Sequence, residues 1–200
     1  MLRRLVVPAA LFTMLVAVLP GLAAQAQNAG PRGGGAAQDV PGDLQPGDAF
    51  GEPTTLPEKT IVYVKGTATW DNAFPALMSA FKLLNQYLDK EGLKATGPAM
   101  TIYTSTDDRG FSFNAALPIA EPPKNPPTGD IAVGKSPAGK ALKFVHRGSY
   151  DAMDSTYEAI ANYLDDKQLE AKNLFIEEYV SDLQKAGPDH LVVNVYVPIN

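Results

Sequence analysis

One local pattern runs twice along the chain between about residue 58 and residue 200, and this limits the available folds more than any other feature. Ile61-Val62-Tyr63-Val64 is a β-rich run closed at Gly66, and Leu142 to Arg147 is a second run closed at Gly148. Each is followed by an apolar stripe at helical spacing, Phe74, Leu77, Met78, Phe81, Leu84 and Leu88 in one copy, Met153, Tyr157, Ile160, Ala161 and Leu164 in the other. Gly92 offers the first helix a stop. Two more strand-like runs follow each helix, Met100 to Ser105 and Phe111 to Leu117, then Leu174 to Ser181 and Leu191 to Val197. The copies also match at Tyr87-Leu88-Asp89 and Tyr163-Leu164-Asp165, at Tyr103-x-Ser105 and Tyr179-x-Ser181, and at Pro118-Ile119 and Pro198-Ile199. Matches in one order on corresponding elements predict duplicated β-α-β-β units with pseudo-twofold symmetry. The fold class is α+β, an antiparallel sheet with helices on one face and a ligand groove on the other.

The rest of the chain is organised around this domain. Arg3 and Arg4, an apolar run from Leu5 to Leu19, Pro20-Gly21 and Ala24-Gln25-Ala26 read as a signal peptide over residues 1–26, cleaved after Ala26. Residues 27–57 are dominated by Gly, Pro, Ala, Gln and Asp and read as a flexible tether. The domain is expected over 58–200, with repeat one at 58–119, a proline-rich linker or lid at 120–140 and repeat two at 141–200. A periplasmic or secreted protein follows, with no stable membrane insertion once the leader is cut.

Composition excludes several chemistries. The chain has no cysteine, which removes thiolate catalysis, cysteine–zinc sites, disulfides and a lipid attachment site. Removal of the leader takes the formal charge from −5 to −7, a poor match to a phosphate backbone, so nucleic acid is discounted as a partner. His146 and His190 are too far apart in sequence for a metal pattern, supply no haem ligand signature, and receive no role. No cofactor is expected, and no nucleophile-elbow sequence surrounds a serine.

Strand alternation then nominates a site. With Phe113, Ala115 and Leu117 toward the helix, Asn114 points away; with Val193, Val195 and Val197 inward, Asn194 and Tyr196 point away. Applied to the preceding strands, with Met100 and Ile102 inward, the same rule sends Thr101, Tyr103, Glu177 and Tyr179 to the helix-free face and leaves Glu178 awkwardly on the core side. Tyr150 reaches this groove from the start of the second helix. Trp70 either lines it or seals the first helix. Thr101 in one copy stands where Glu177 stands in the other, so the groove is expected to carry one charged end.

These residues carry a family resemblance. His146-Arg147-Gly148-Ser149-Tyr150, a helix, Glu177-Glu178-Tyr179-Val180-Ser181-Asp182 and the closing Val197-Pro198-Ile199 resemble the GyrI-like small-molecule-binding domains, also called bacterial effector-binding domains. The resemblance covers about Thr60 to Asn200. It implies a groove between the repeats for organic, often aromatic or cationic, molecules, with Glu177 and Tyr179 in the E-x-Y arrangement that meets a ligand's positive charge. It also implies an alternative, hydrolysis of strained electrophilic compounds with Glu177 as the acting carboxylate. The export signal and the missing helix-turn-helix depart from the regulator members and argue against direct transcriptional control. The expected partner is a small organic molecule; a protein-interaction adaptor, its partner unknown, is a further alternative suggested by the tether.

Overall fold

The computed structural model describes residues 44–200. The predicted leader and the tether up to residue 43 lie outside the described residues. In chain order the elements are β1 (Phe50–Leu56), β2 (Thr60–Thr69), α1 (Ala73–Glu91), β3 (Met100–Thr106), β4 (Gly110–Pro118), β5 (Ile131–Lys135), β6 (Gly139–Gly148), α2 (Met153–Asp166), β7 (Phe175–Tyr179), α3 (Leu183–Ala186) and β8 (Leu191–Pro198). A short 3-10 turn precedes each long helix, Trp70–Asn72 and Tyr150–Ala152. The α+β class and the duplication are as expected.

Two boundaries are corrected. The tether ends before residue 57, because Phe50–Leu56 is a strand paired with β6; the 120–140 linker contains β5, paired with β2. Both are edge strands. An edge strand has one neighbour, so it tolerates Pro53 and needs no clean alternation, which is why neither stood out from its proline- and glycine-rich surroundings. Each repeat is therefore β-β-α-β-β, and the leading strands are exchanged: β1 of the first repeat caps the second, and β5 of the second caps the first.

The exchange forces the sheet to curl. The eight strands are ordered β1-β6-β8-β7-β3-β4-β2-β5. In a flat sheet β1 and β2 would lie about 29 Å apart, six strand spacings of about 4.8 Å each. The connection from Leu56 to Thr60 spans at most about 15 Å. The strands must bend round until the two outer pairs approach. The Lys59–Glu178 ion pair, 3.1 Å, then ties the start of β2 to β7 across the concave side.

Both faces of the curled sheet are consequently buried. On the convex face, α1 and α2 cover Val62, Phe113, Ala115, Phe144, Val193 and Val195, with Leu77, Phe81, Leu84 and Ile160 from the helices. Inside the curl a second apolar cluster gathers Ile61, Met100, Ile102, Ala116 and Ile176.

The helix ends repeat in detail. Gly92 after α1 is left-handed at φ 66°, and Gln168 after α2 takes the same place at φ 53°. Leu93 N–H donates to Leu88 O and Leu169 N–H donates to Leu164 O, both at 2.9 Å. A left-handed backbone costs a residue with a Cβ roughly 1 kcal/mol and glycine almost nothing. Gln168→Gly is thus expected to stabilise the domain by up to about 1 kcal/mol in urea denaturation, since Gln168 is exposed and gives up little else.

Candidate functional site

The pseudo-twofold axis falls between β3 and β7, where Thr101 faces its repeat counterpart Glu177 directly across the ladder. Val195 is the other cross-strand neighbour of Glu177, and Ala115 that of Thr101, so this pair points to the helix side. Glu177 is 1% exposed and Thr101 fully buried.

Tyrosine hydroxyls converge on the carboxylate. Tyr157 of α2 donates to Oε1 at 2.8 Å, and Tyr179 donates to Oε2 at 2.6 Å. With its proton committed, the Tyr179 oxygen accepts from Thr101 at 3.0 Å. Tyr103, the repeat counterpart of Tyr179, also supports the charged form of Glu177 and lies 3.4 Å from the Tyr150 hydroxyl. Rings close the surroundings: Phe81 of α1 packs edge-on to Tyr179, Phe74 lies against Tyr150, and Phe175 against Tyr157.

Burial raises the Glu177 pKa above the ordinary glutamate value, only partly offset by the hydroxyls of Tyr179, Tyr157 and Tyr103. Burial, then the nearby Glu177 charge, likewise pushes Tyr103, Tyr157 and Tyr179 well up, so all three remain proton donors at neutral pH. A carboxylate ringed by hydroxyl donors and aromatic faces can hold a positive charge, or take up a proton.

The opposite face carries a different cluster. Glu178 receives Lys59, Asn194 Nδ2 at 3.2 Å and the Tyr196 hydroxyl at 3.0 Å. Burial raises its pKa, but the hydrogen bonds from Asn194 and Lys59, the Lys59 charge and Tyr196 outweigh it and hold the carboxyl below its ordinary value. Burial and the Glu178 charge push Tyr196 up to about 12. This is a satisfied ion pair beside a small cavity of about 130 Å³, lined in part by Leu56, Met100, Ile176 and Tyr196.

The predicted single groove therefore divides. Glu177, Tyr179, Tyr103 and Tyr150 come together, but on the helix side; Asn114, Asn194 and Tyr196 do lie on the helix-free face, where Asn114 stands opposite Ile102. The inside-outside assignment of β4 and β8 holds, and that of β3 and β7 is reversed. Met100 and Ile102 are apolar because they line the curl, not because they face the helices. The reversal also removes the Glu178 anomaly. Nor is the carboxylate at one end: it sits on the pseudo-twofold axis. Trp70 is 41% exposed, donates Nε1–H to Asp107 O at 2.9 Å and packs at a tilt against Phe111, which in turn lies against Tyr103. Tyr157, placed in the helix stripe by spacing, was missed as a site residue. A tyrosine in a buried stripe needs a partner for its hydroxyl, and that requirement was the available signal.

Residues 52–200 match the profile of the GyrI-like small molecule binding domain. A search of curated proteins returned no match. Similar solved structures include the EcmrR C-terminal domain, 18% identical with a TM-score of 0.64, over 74% of this chain and 95% of that one. Another is SAV2435 bound to tetraphenylphosphonium, 16% identical with a TM-score of 0.51, over 74% and 93%. A hydrolase from Listeria innocua encoded by lin2189 is 14% identical with a TM-score of 0.51, over 76% and 93%. This chain spans 56% of the EcmrR chain in its DNA complex. At such identities the shared property is the fold.

Proposed function

Since this chain belongs to the GyrI-like small molecule binding domain family, we propose that it captures a hydrophobic or aromatic cation at Glu177, outside the cytoplasm after loss of the leader. The observation that carries this reading is the pairing of Glu177: a carboxylate 1% exposed whose hydrogen-bond partners among the described residues are hydroxyls. Neutral donors leave the buried negative charge uncompensated. An incoming cation supplies the compensation and restores the ionised form. The aromatic faces of Tyr179, Tyr150, Phe74 and Phe81 add cation–π attraction, which is strongest when the cation is already desolvated.

Entry requires the cage to open. The weakest link is the 3.4 Å contact between Tyr103 and Tyr150, beyond the usual range for hydroxyl pairs. Tyr150 begins the 3-10 turn Tyr150–Ala152, so a shift of this turn and the start of α2 exposes the carboxylate without disturbing the sheet. Tetraphenylphosphonium, the ligand of the structurally similar SAV2435, is the natural probe. In calorimetric titration of the wild type it is expected to bind at least about tenfold more tightly than neutral triphenylphosphine oxide, a difference of about 1.4 kcal/mol. Equal affinities would remove charge recognition.

The raised pKa of Glu177 favours a second reading, a hydrolase in which this group takes a proton from water as the water oxygen bonds to a strained ring, and returns that proton to the ring atom released when the ring bond breaks. Incubation with epoxide or cyclopropane compounds and mass spectrometry distinguishes the two. A hydrated product that disappears in Glu177→Gln supports the enzyme, and unchanged compounds throughout leave the binding protein.

A further inference from the structure

The second repeat buries a polar pair that the first repeat does without. His146, near the end of β6, is 2% exposed and reaches two elements at once. Its Nδ1 lies 2.7 Å from Thr156 Oγ1 in α2, and its Nε2 lies 3.0 Å from Ser149 O, just before the 3-10 turn Tyr150–Ala152. A carbonyl oxygen can only accept, so Nε2 carries a hydrogen and donates it; in the neutral ring Nδ1 then accepts from the Thr156 hydroxyl. Thr156 is fully buried as well.

The ladders give the counterpart positions. His146 stands opposite Val193, five residues before Pro198, and Gly66 stands opposite Phe113, five residues before Pro118. The 3-10 turns agree, since Trp70 opens one four residues after Gly66 and Tyr150 opens the other four residues after His146. In the first repeat the place of the imidazole is taken by the Phe113 ring, which a Cβ on Gly66 would strike. Thr156 falls on Ala76 when the helices are matched from their starts, and on Ala80 when matched from the left-handed residues Gly92 and Gln168. The first repeat thus builds the same strand, turn and helix with neither polar partner. One restraint is common to both: Tyr150 N–H donates to Pro188 O at 2.7 Å and Trp70 N–H to Arg109 O at 3.4 Å. The imidazole is an added one. A buried polar pair that the fold can dispense with is explained by what only the second repeat has, namely Tyr150 and Tyr157 around Glu177. Ser149 precedes the first of these tyrosines and Thr156 the second.

We infer that His146 is the positioning residue that latches the Glu177 cage shut. Its ring pins the turn bearing Tyr150 to the helix bearing Tyr157, and cation entry breaks the bond from Nε2–H to Ser149 O. This inference rests on the capture of a cation at Glu177. The latch has a cost in affinity, because a site that binds only when open shows its intrinsic affinity reduced by the fraction of molecules that are open. Weakening the latch therefore speeds association and tightens binding. A residue that merely supports the fold acts in the opposite direction when it is removed.

Two variants separate the two bonds of the ring. The amide of His146→Asn reaches the place of Nδ1 and serves Thr156 alone, whereas that of His146→Gln reaches the place of Nε2 and keeps a donor for Ser149 O. In the ligand-free protein the Tyr150 and Ala152 amides should exchange hydrogen about tenfold faster in His146→Asn than in wild type or His146→Gln, with the β8 amides unchanged. In stopped-flow fluorescence with tetraphenylphosphonium, His146→Asn should bind about tenfold faster and about tenfold more tightly, with dissociation little changed. Weaker or slower binding by His146→Asn overturns the latch. So does exchange that stays at the wild-type rate in the turn or rises equally along β8. Wild type gives a check that needs no variant: the His146 Nε2–H hydrogen, followed by ¹⁵N NMR, should lose its protection when tetraphenylphosphonium is added. A ring hydrogen as protected in the complex as in the free protein also overturns the latch. If tetraphenylphosphonium binds no form, the cation reading fails and the exchange comparison alone decides the latch.

Discussion

Glu177→Gln is expected to raise the stability of the ligand-free domain at pH 7 while lowering its affinity for tetraphenylphosphonium by roughly 30-fold or more. Glutamine keeps the shape of glutamate, its carbonyl still accepts from Tyr157 or Tyr179, and its amide can donate to a tyrosine oxygen. What it removes is a charge that burial disfavours. The folded pKa of Glu177 lies above its unfolded value, so its favourable contribution is full below the ordinary glutamate value of 4.5 and is lost as pH rises through the folded pKa. Wild type and variant should therefore melt together near pH 4 and separate toward pH 7, with the variant higher. Affinity moves the other way, because removing one partner of a buried charge pair costs about 2–5 kcal/mol. Thermal melts at several pH values and calorimetry at pH 7 read the two effects separately. A variant that loses stability at pH 7 would show that the tyrosine hydroxyls hold a charge the fold depends on, and the ligand would lose its role as the missing partner.

What was legible in the sequence, and what was not, follows from how many faces of each element are buried. Both helices, their stripes and the six inner strand runs could be read because each long helix presents one apolar face and matches a counterpart about 76 residues away. The assignment of β4 and β8 was also sound: Phe113, Ala115 and Leu117, and Val193, Val195 and Val197, are the bulky apolar sets facing the helices. β3 and β7 misled for the same physical reason that makes the site. Their helix-facing positions hold Thr101, Tyr103, Glu177 and Tyr179, so the more apolar set, Met100, Ile102 and Ile176, belongs to the interior of the curl. Alternation reports the apolar face correctly only when one face is wet. The curl itself could not be read locally, since it arises from the exchange of β1 and β5, short edge strands with little hydrophobic signal. Once β1 is known to pair with β6, the short Leu56–Thr60 connection makes the bending obligatory.

The exchange also predicts the largest stability effect. A chain starting at residue 58, the boundary read from composition, is expected to lose most of the stability of a chain starting at residue 44. Removing β1 deletes its ladder with β6, from Phe50 opposite Phe144 to Leu56 opposite Gly139. It removes the Phe50 ring from the contacts with Phe144 and Tyr163 and takes the acceptor from the Tyr163 hydroxyl. It also breaks the two-point Asp48–Arg147 pair, whose side chains are 10% and 28% exposed. Truncating a fully buried phenylalanine costs about 3–5 kcal/mol, so the half-buried Phe50 adds a smaller share to the lost ladder and ion pair, in a domain that holds only about 5–15 kcal/mol in all. Two further consequences separate this account from a general loss of chain. β6 becomes an unpaired edge, so the truncated protein should associate at rising concentration. A synthetic peptide of residues 44–57 added in trans should restore the urea midpoint, because the strand is joined in sequence to the first repeat yet does its packing on the second. If the chain starting at 58 melts within a few degrees of the longer one, β1 is an accessory strand, and the exchange does not hold the repeats together.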